Sequence, residues 1–269
     1  MPTDLLNQRH SRAELAVTIG LLYAACVAVM GPTLRLSQWS MPSDNQAAME
    51  ALAWLDGRMD VPTRGVDMAQ YAGRYYNVFP PLWTCVCYAV YGLNRLLYGE
   101  TLVFWTPLYA MILAAPIPLL AYAAFRRSGV NRQWAAIVAF YAIAGTALWP
   151  EAAFCRDGWI CSVQHVLSQT GLALILWDLL GARRFWVAGL GVLVAAWSRQ
   201  TCLAYALPLL WMACRSPQPR KALTRAGVPL AVALAVPMVL NYTKFGSPLE
   251  TGYRYILDDP RNPTSATKR

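Results

Sequence analysis

Residues Ser40–Pro81 read SMPSDNQAAMEALAWLDGRMDVPTRGVDMAQYAGRYYNVFPP, about forty mostly polar residues set between stretches that are almost continuously apolar. The segment holds Asp44, Glu50, Asp56, Asp60 and Asp67 together with Arg58, Arg64 and Arg74. A long polar loop directly after a first hydrophobic helix is where a membrane protein concentrates its chemistry. The side of the bilayer on which that loop lies therefore governs the rest of the reading.

Hydrophobic residues make up 57% of the chain and charged residues 14%, against roughly 25% charged in a soluble domain. Leu102–Phe125, Val163–Leu180 and Ala226–Leu240 approach or reach the length that crosses a hydrocarbon core about 30 Å thick. The expectation is an all-α polytopic membrane protein. Met1–Glu14 is polar, with Arg9, His10 and Arg12, and Leu15–Leu34 is longer than an export-signal core and lacks a clear cleavage site. We read it as a first anchor with a cytoplasmic N-terminus over residues 1–14.

Basic residues set the topology, because Lys and Arg collect in cytoplasmic loops. Arg126, Arg127 and Arg132 form one cluster, Arg183 and Arg184 a second, and Arg215, Arg220, Lys221 and Arg225 a third. Phe185–Cys214 divides at Ser198-Arg199-Gln200-Thr201 into two short spans, and Gln133–Pro150 and Val163–Leu180 supply another pair. Of Leu15–Leu34, Pro81–Leu97 and Leu102–Phe125 one must not cross, and Pro81–Leu97, interrupted by Thr84, Gly92, Asn94 and Arg95, is the weakest. It reads as a helix in the outer interface, over residues 82–98, rich in Tyr and Trp. The result is about seven transmembrane helices plus juxtamembrane helices in the first extracytoplasmic loop. The loop at 40–81, the turn at Arg199 and a tail over 241–269 lie outside, and a helical bundle fills 102–240. The same Arg and Lys excess accounts for the net charge of +9 through cytoplasmic loops and anionic lipid, without nucleic acid.

Seven cysteines and two histidines show no metal spacing. Cys155 and Cys161 share one outer loop, where a disulfide and chance co-occurrence are equally open. Within the 40–81 loop, Ser43 or Asp44 is a natural N-cap for a helix from about Asn45 to Leu55. Ala48, Leu52, Leu55 and Met59 share a face, as on a surface helix, and Gly57 ends it. Asp67 opens a second short helix to Tyr71, and Gly73–Pro81 forms a bend that packs aromatic rings at the interface. For Asp44 and Asp67, capping alone is a sufficient reason to be there.

Three pieces resemble the polytopic GT-C glycosyltransferases, the group of protein O-mannosyltransferases and the aminoarabinose transferases of lipid A. An acid soon after the first hydrophobic segment heads a helix ending in a GRMDVP-like turn (Asp44–Pro62). The loop closes with GRYYNVFPPLW (Gly73–Trp83). NYTKFGSPLETGY (Asn241–Tyr253) is very like a segment that follows a late helix in bacterial members, and is the most specific of the three.

The resemblance implies transfer of a sugar from a polyprenyl-phosphate carrier to an unidentified glycan, lipid or protein acceptor on the outer face of the cell (inner) membrane. The first-loop acid of the family acts on the acceptor nucleophile or the transition state, and Asp44 is the matching position. A carboxylate in reach of the incoming hydroxyl suits displacement at an anomeric carbon, and cations suit the departing phosphate. Arg199 leads that set of binding residues, with Arg74 and Lys244 of the same kind. Glu151 and His165 are the remaining polar candidates on that face, beside Asp157, and Tyr75 and Tyr76 complete the substrate-binding set. Two departures stand out. Asn45 follows Asp44 where many members carry a second acid, which leaves the role of a divalent cation open, and no cofactor is otherwise implied. Members also continue past the FGSPLETGY segment, so a short or partial relative is expected. The alternative is a non-catalytic or truncated relative that acts as a membrane scaffold or binds a lipid-linked sugar. A transporter is disfavoured, since no charge falls mid-span.

Overall fold

The computed structural model describes residue 20 and residues 46–64, 67–99, 112–144 and 160–256. Apart from residue 20 the first hydrophobic segment falls outside the described residues, as do Asp44, Glu151, Cys155 and Asp157 and the side chain of Cys161. The rest is mainly helical, with one small two-stranded sheet.

Helix α1 (Gln46–Leu55) is built from strong helix formers, QAAMEALAWL, and stops before Gly57, whose φ of 72° is left-handed. It is not the surface helix expected from its apolar face: seven of its ten residues are buried. Its alanines are the reason. Ala47, Ala48 and Ala51 let it press against Trp83, Cys87, Tyr91, Val163 and Leu167, while Met49 packs on Val61 and Met68 on another side.

Strands β1 (Met68–Tyr71) and β2 (Arg74–Asn77) form an antiparallel hairpin with Tyr71 opposite Arg74. The expected short helix at Asp67–Tyr71 is therefore a strand. Asp67 has a left-handed φ of 56°, which does not start a right-handed helix. Ala72 and Gly73, at φ 49° and 77°, make a tight turn with both central residues left-handed, as hairpins require. Both sheet edges are covered, by Val61 against Tyr75 and by Ile256 against Ala69.

Helix α2 (Leu82–Tyr98) follows Pro80-Pro81 and ends at left-handed Gly99. Helices α3 (Pro116–Arg127) and α4 (Arg132–Ala144) form a hairpin, and Asn131 caps α4 by accepting the Trp134 N–H at 2.9 Å. Helix α5 (Ile160–Leu179) leads into α6 (Trp186–Ser198). The chain then breaks at Arg199, whose backbone is extended. It continues as a 3-10 helix (Gln200–Tyr205) and α7 (Ala206–Cys214), so the expected division at Ser198–Thr201 is present. Helix α8 (Pro219–Phe245) runs through Pro229 and Pro237. At 1.5 Å per residue it spans about 40 Å, so Asn241–Lys244, expected in the tail, form its last turn.

Helix α6 lies between α5 and α8 because glycine removes the side chains that would hold them apart. A Cβ on Gly171 would lie 2.5 Å from the Gly191 carbonyl, and one on Gly189 would lie 3.0 Å from that of Ala226. The α5–α6 turn is held by Asp178, 1% exposed. Its carboxylate accepts the N–H groups of Arg184 (2.9 Å), Phe185 (2.8 Å) and Ala188 (3.2 Å). Those bonds satisfy the start of α6 and offset the left-handed Arg183 and Phe185.

Among the described residues one helix, α8, is long and apolar enough to cross a membrane, and α6 and the segment Gln200–Cys214 are shorter apolar helices. Large apolar side chains stand exposed around the bundle, including Leu96 (81%), Leu207 (73%) and Val239 (63%). The basic clusters gather at one end. Arg127 stacks over Trp177 at 4.7 Å and adjoins Gly181, and Arg183, Arg215, Lys221 and Arg225 surround one cavity. The hairpin and α1 sit at the other end, against the last turn of α8.

Candidate functional site at the hairpin end

Four elements meet at a buried polar cluster. Glu50 from α1 is 1% exposed. One carboxylate oxygen accepts hydrogen bonds from Asn77 Nδ2 of β2 (2.7 Å) and Thr84 Oγ1 of α2 (2.8 Å). The other faces Lys244 Nζ, from the last turn of α8, in an ion pair. Lys244 also donates to the Asn77 backbone carbonyl at 2.9 Å, and Asn77 Oδ1 accepts the Phe79 N–H at 3.0 Å. A carboxylate and an ammonium withdrawn from water this far persist only when paired and hydrogen-bonded on all sides. Burial, and secondarily the Glu50 charge, push the nearby Cys85 thiol above its ordinary range.

An aromatic cluster reinforces the same junction. Phe245, one residue after Lys244, meets Tyr71 at 5.7 Å and Tyr76 at 5.5 Å, both edge-on, while Tyr255 stacks on Phe245 at 6.1 Å. Gly246 terminates α8 at φ 71°, donating its N–H to the Tyr242 carbonyl at 2.8 Å. Gly252, at φ 82°, passes so close to the Phe245 ring and Val78 that no Cβ fits. The NYTKFGSPLETGY segment is thus a helix end and a return turn that grip the hairpin.

A second cluster lies at the break after α6. Arg199 presents Nη2 to Nε2 of His165, from α5. A guanidinium only donates, so the imidazole accepts at Nε2 and carries its hydrogen on Nδ1. Arg199 Nε is buried with no hydrogen-bond partner among the described residues, and so are both amide atoms of Gln164, beside His165. Buried polar groups left unpaired cost about 1–3 kcal/mol each, so this is where a polar partner is expected. Gln200 next to Arg199 lines a small cleft together with Asn77, Asn241 and Lys244, which puts both clusters at one end of the bundle.

The residues singled out from sequence separate accordingly. Arg199 and His165 come together. Lys244 is buried, but against Glu50 rather than facing an open site. Arg74 is largely exposed and pairs with Asp60 at 3.7 Å rather than with a member of either cluster. Neighbours on a strand point to opposite faces. Tyr75 accordingly packs toward Met49, Val61 and Met68, and Tyr76 toward Phe245. Asp44 and Glu151 lie outside the described residues. Among the described residues no three His, Cys, Asp or Glu side chains converge as a metal-holding group.

Glu50 was one loop acid among five in the sequence, and Asn77 and Thr84 carried no signal of their own. The usable cue is a lone Glu among the alanines of α1, matched by a lone Lys on the last turn of an apolar helix. No family model matches the chain, and no curated protein and no solved structure matches it.

Proposed function

We propose that the chain is a polytopic membrane glycosyltransferase of the GT-C type, moving a sugar from a polyprenyl-phosphate carrier to an acceptor on the extracytoplasmic face of the cell membrane. The observation that carries this reading is a convergence. The first two stretches that resemble the family lie within residues 44–83 and the third within 241–253, yet each contributes to one junction: Glu50 from the first, Asn77 and Tyr76 from the second, Lys244 and Phe245 from the third. The exposed apolar side chains support a lipid environment. Basic clusters confined to the opposite end support a cytoplasmic placement for that end and an outer placement for the junction.

In this reading Asp44, two residues before α1, takes the acceptor hydroxyl's proton as that oxygen bonds to the anomeric carbon. The bond from that carbon to the phosphate oxygen breaks, and the carrier phosphate leaves with the electron pair. Arg199, oriented by His165, faces the charge that accumulates on it. Glu50 has both oxygens occupied and acts as a positioning residue, fixing the helix that follows Asp44.

The alternative, a relative that binds lipid-linked sugar without turnover, is favoured by one observation. The cleft beside Lys244 is about 20 Å³, room for little more than a water molecule. The test is a strain lacking the gene, complemented with wild type or Asp44→Asn, with envelope glycans and lipid-linked sugars compared by mass spectrometry. The transferase reading predicts that one glycan loses a sugar, its carrier-linked donor accumulates, and only wild type restores both. Restoration by Asp44→Asn removes the catalytic role of Asp44. A deletion that changes no glycan removes the transferase in favour of the alternative.

A further inference from the structure

At the end opposite the hairpin, the α5–α6 turn, the end of α7 and the start of α8 enclose a cavity of about 490 Å³. Arg183, Arg215, Lys221 and Arg225 line it, and none of them pairs with a carboxylate among the described residues. Asp178, the acid nearest in sequence, is buried and spends its oxygens on three backbone N–H groups. Four cations around one concavity repel each other unless an anion joins them.

Two further features point inward. Ser216, which also lines the cavity, has a buried hydroxyl with no hydrogen-bond partner among the described residues. The N-terminus of α8, 27 residues long, opens there without a side-chain cap, and such an end favours negative charge. Trp211 lines the wall, with Arg215 stacked 4.3 Å from its ring, and both Trp211 and Leu207 of α7 are exposed. A polar concavity thus adjoins an apolar exterior.

We propose that this cavity is a binding site for a phosphate ester, with an anionic phospholipid headgroup as its source and the acyl chains lying along α7. The size suits one headgroup, and guanidinium groups with an ammonium suit a phosphate. The site is separate from the hairpin end and does not depend on sugar transfer there.

The test uses the full chain purified in detergent, with thermal unfolding and native mass spectrometry read against added phosphatidylglycerol, phosphatidylcholine and inorganic phosphate. The cavity variant is Arg215→Gln/Lys221→Gln. The control is Arg126→Gln/Arg184→Gln, which removes equal charge from exposed residues outside the cavity. Phosphatidylglycerol is expected to stabilise wild type and control, phosphatidylcholine neither, and the cavity variant is expected to bind roughly tenfold to thirtyfold more weakly. Stabilisation by inorganic phosphate alone, lost in the cavity variant, keeps the phosphate site and assigns it to a soluble ligand. Equal weakening of both variants overturns the proposal, reducing it to non-specific surface charge. Should the double variant fail to fold, arginine modification by phenylglyoxal on wild type decides. Phosphatidylglycerol must protect Arg183, Arg215 and Arg225 while leaving Arg126 and Arg184 reactive, and uniform modification would contradict the site.

Discussion

The two ends of the bundle both gather charge, and they treat it in opposite ways. At the hairpin end a single carboxylate and a single ammonium are sealed together, Glu50 with Lys244, and Asn77, Thr84 and Lys244 all donate into the pair or its backbone surroundings. At the basic end four cations stand around an open concavity with no acid among the described residues to meet them. Built-in pairing identifies charge used to hold elements together; charge left unpaired around a space identifies charge kept for something that arrives. Arg199 is intermediate: His165 occupies part of its guanidinium while Nε remains unpaired among the described residues.

Breaking the sealed pair should give the largest effect. Removing one partner leaves the other charged in a buried site, so Glu50→Ala is expected to cost about 3–5 kcal/mol in thermal or denaturant unfolding. Arg74→Ala, which removes only a loose 3.7 Å pair between an exposed Arg74 and a partly exposed Asp60, should fall within about 0.5 kcal/mol. A loss for Arg74→Ala as large as that for Glu50→Ala would end the distinction between sealed and solvated charge.

The middle of the bundle offers a comparison between glycines of one type. Gly191→Ala drives a Cβ to 2.6 Å from the Gly171 carbonyl and should cost about 1–3 kcal/mol by forcing α5 and α6 apart. Gly227→Ala, where nothing lies within 4 Å, should be neutral or stabilise by up to about 1 kcal/mol. Asp178→Ala should cost about 1–3 kcal/mol and should also loosen the turn that walls the basic cavity. Hydrogen exchange at Phe185 and Ala188, faster in the variant, would show it.

The smallest expected effect is in thiol labelling. Cys85 and Cys87 are shifted upward by burial, with Glu50 contributing at Cys85. A raised thiol pKa leaves less thiolate at a given pH, so both should alkylate slowly and speed up only as pH rises toward the shifted value. Exposed Cys214 should label first. Peptide mapping after a short maleimide pulse at pH 7.5 reads the order.

Much of the architecture was legible in the sequence for local reasons. Ala-rich composition and Gly57 gave α1 its limits, and Ser198–Thr201 marked the break between α6 and the 3-10 segment. Clustered arginines foretold a basic end. What stayed hidden was set by tertiary context. Four residues, Met68–Tyr71, are too few to show a strand period, and an Ala-Gly turn lacks the Asn-Gly signal of a hairpin. The face of α1 carrying Ala48 and Leu52 suggested a surface helix, because alanine says little about which side will be covered. Lys244 and Glu50 are 194 positions apart, and nothing local couples them. Asp178 at the end of an apolar stretch gave no hint that it caps the following helix.

Glu50 and Lys244 clamp the segment carrying α1 onto the end of α8. A double-mutant cycle with Glu50→Gln, Lys244→Met and the combined variant measures that clamp directly by unfolding in detergent. The clamp predicts that each single change is strongly destabilising and that the combination recovers much of the loss, with a coupling of about 2–3 kcal/mol. Additive losses, with coupling below about 0.5 kcal/mol, would mean the two residues act independently and the segment is not held there.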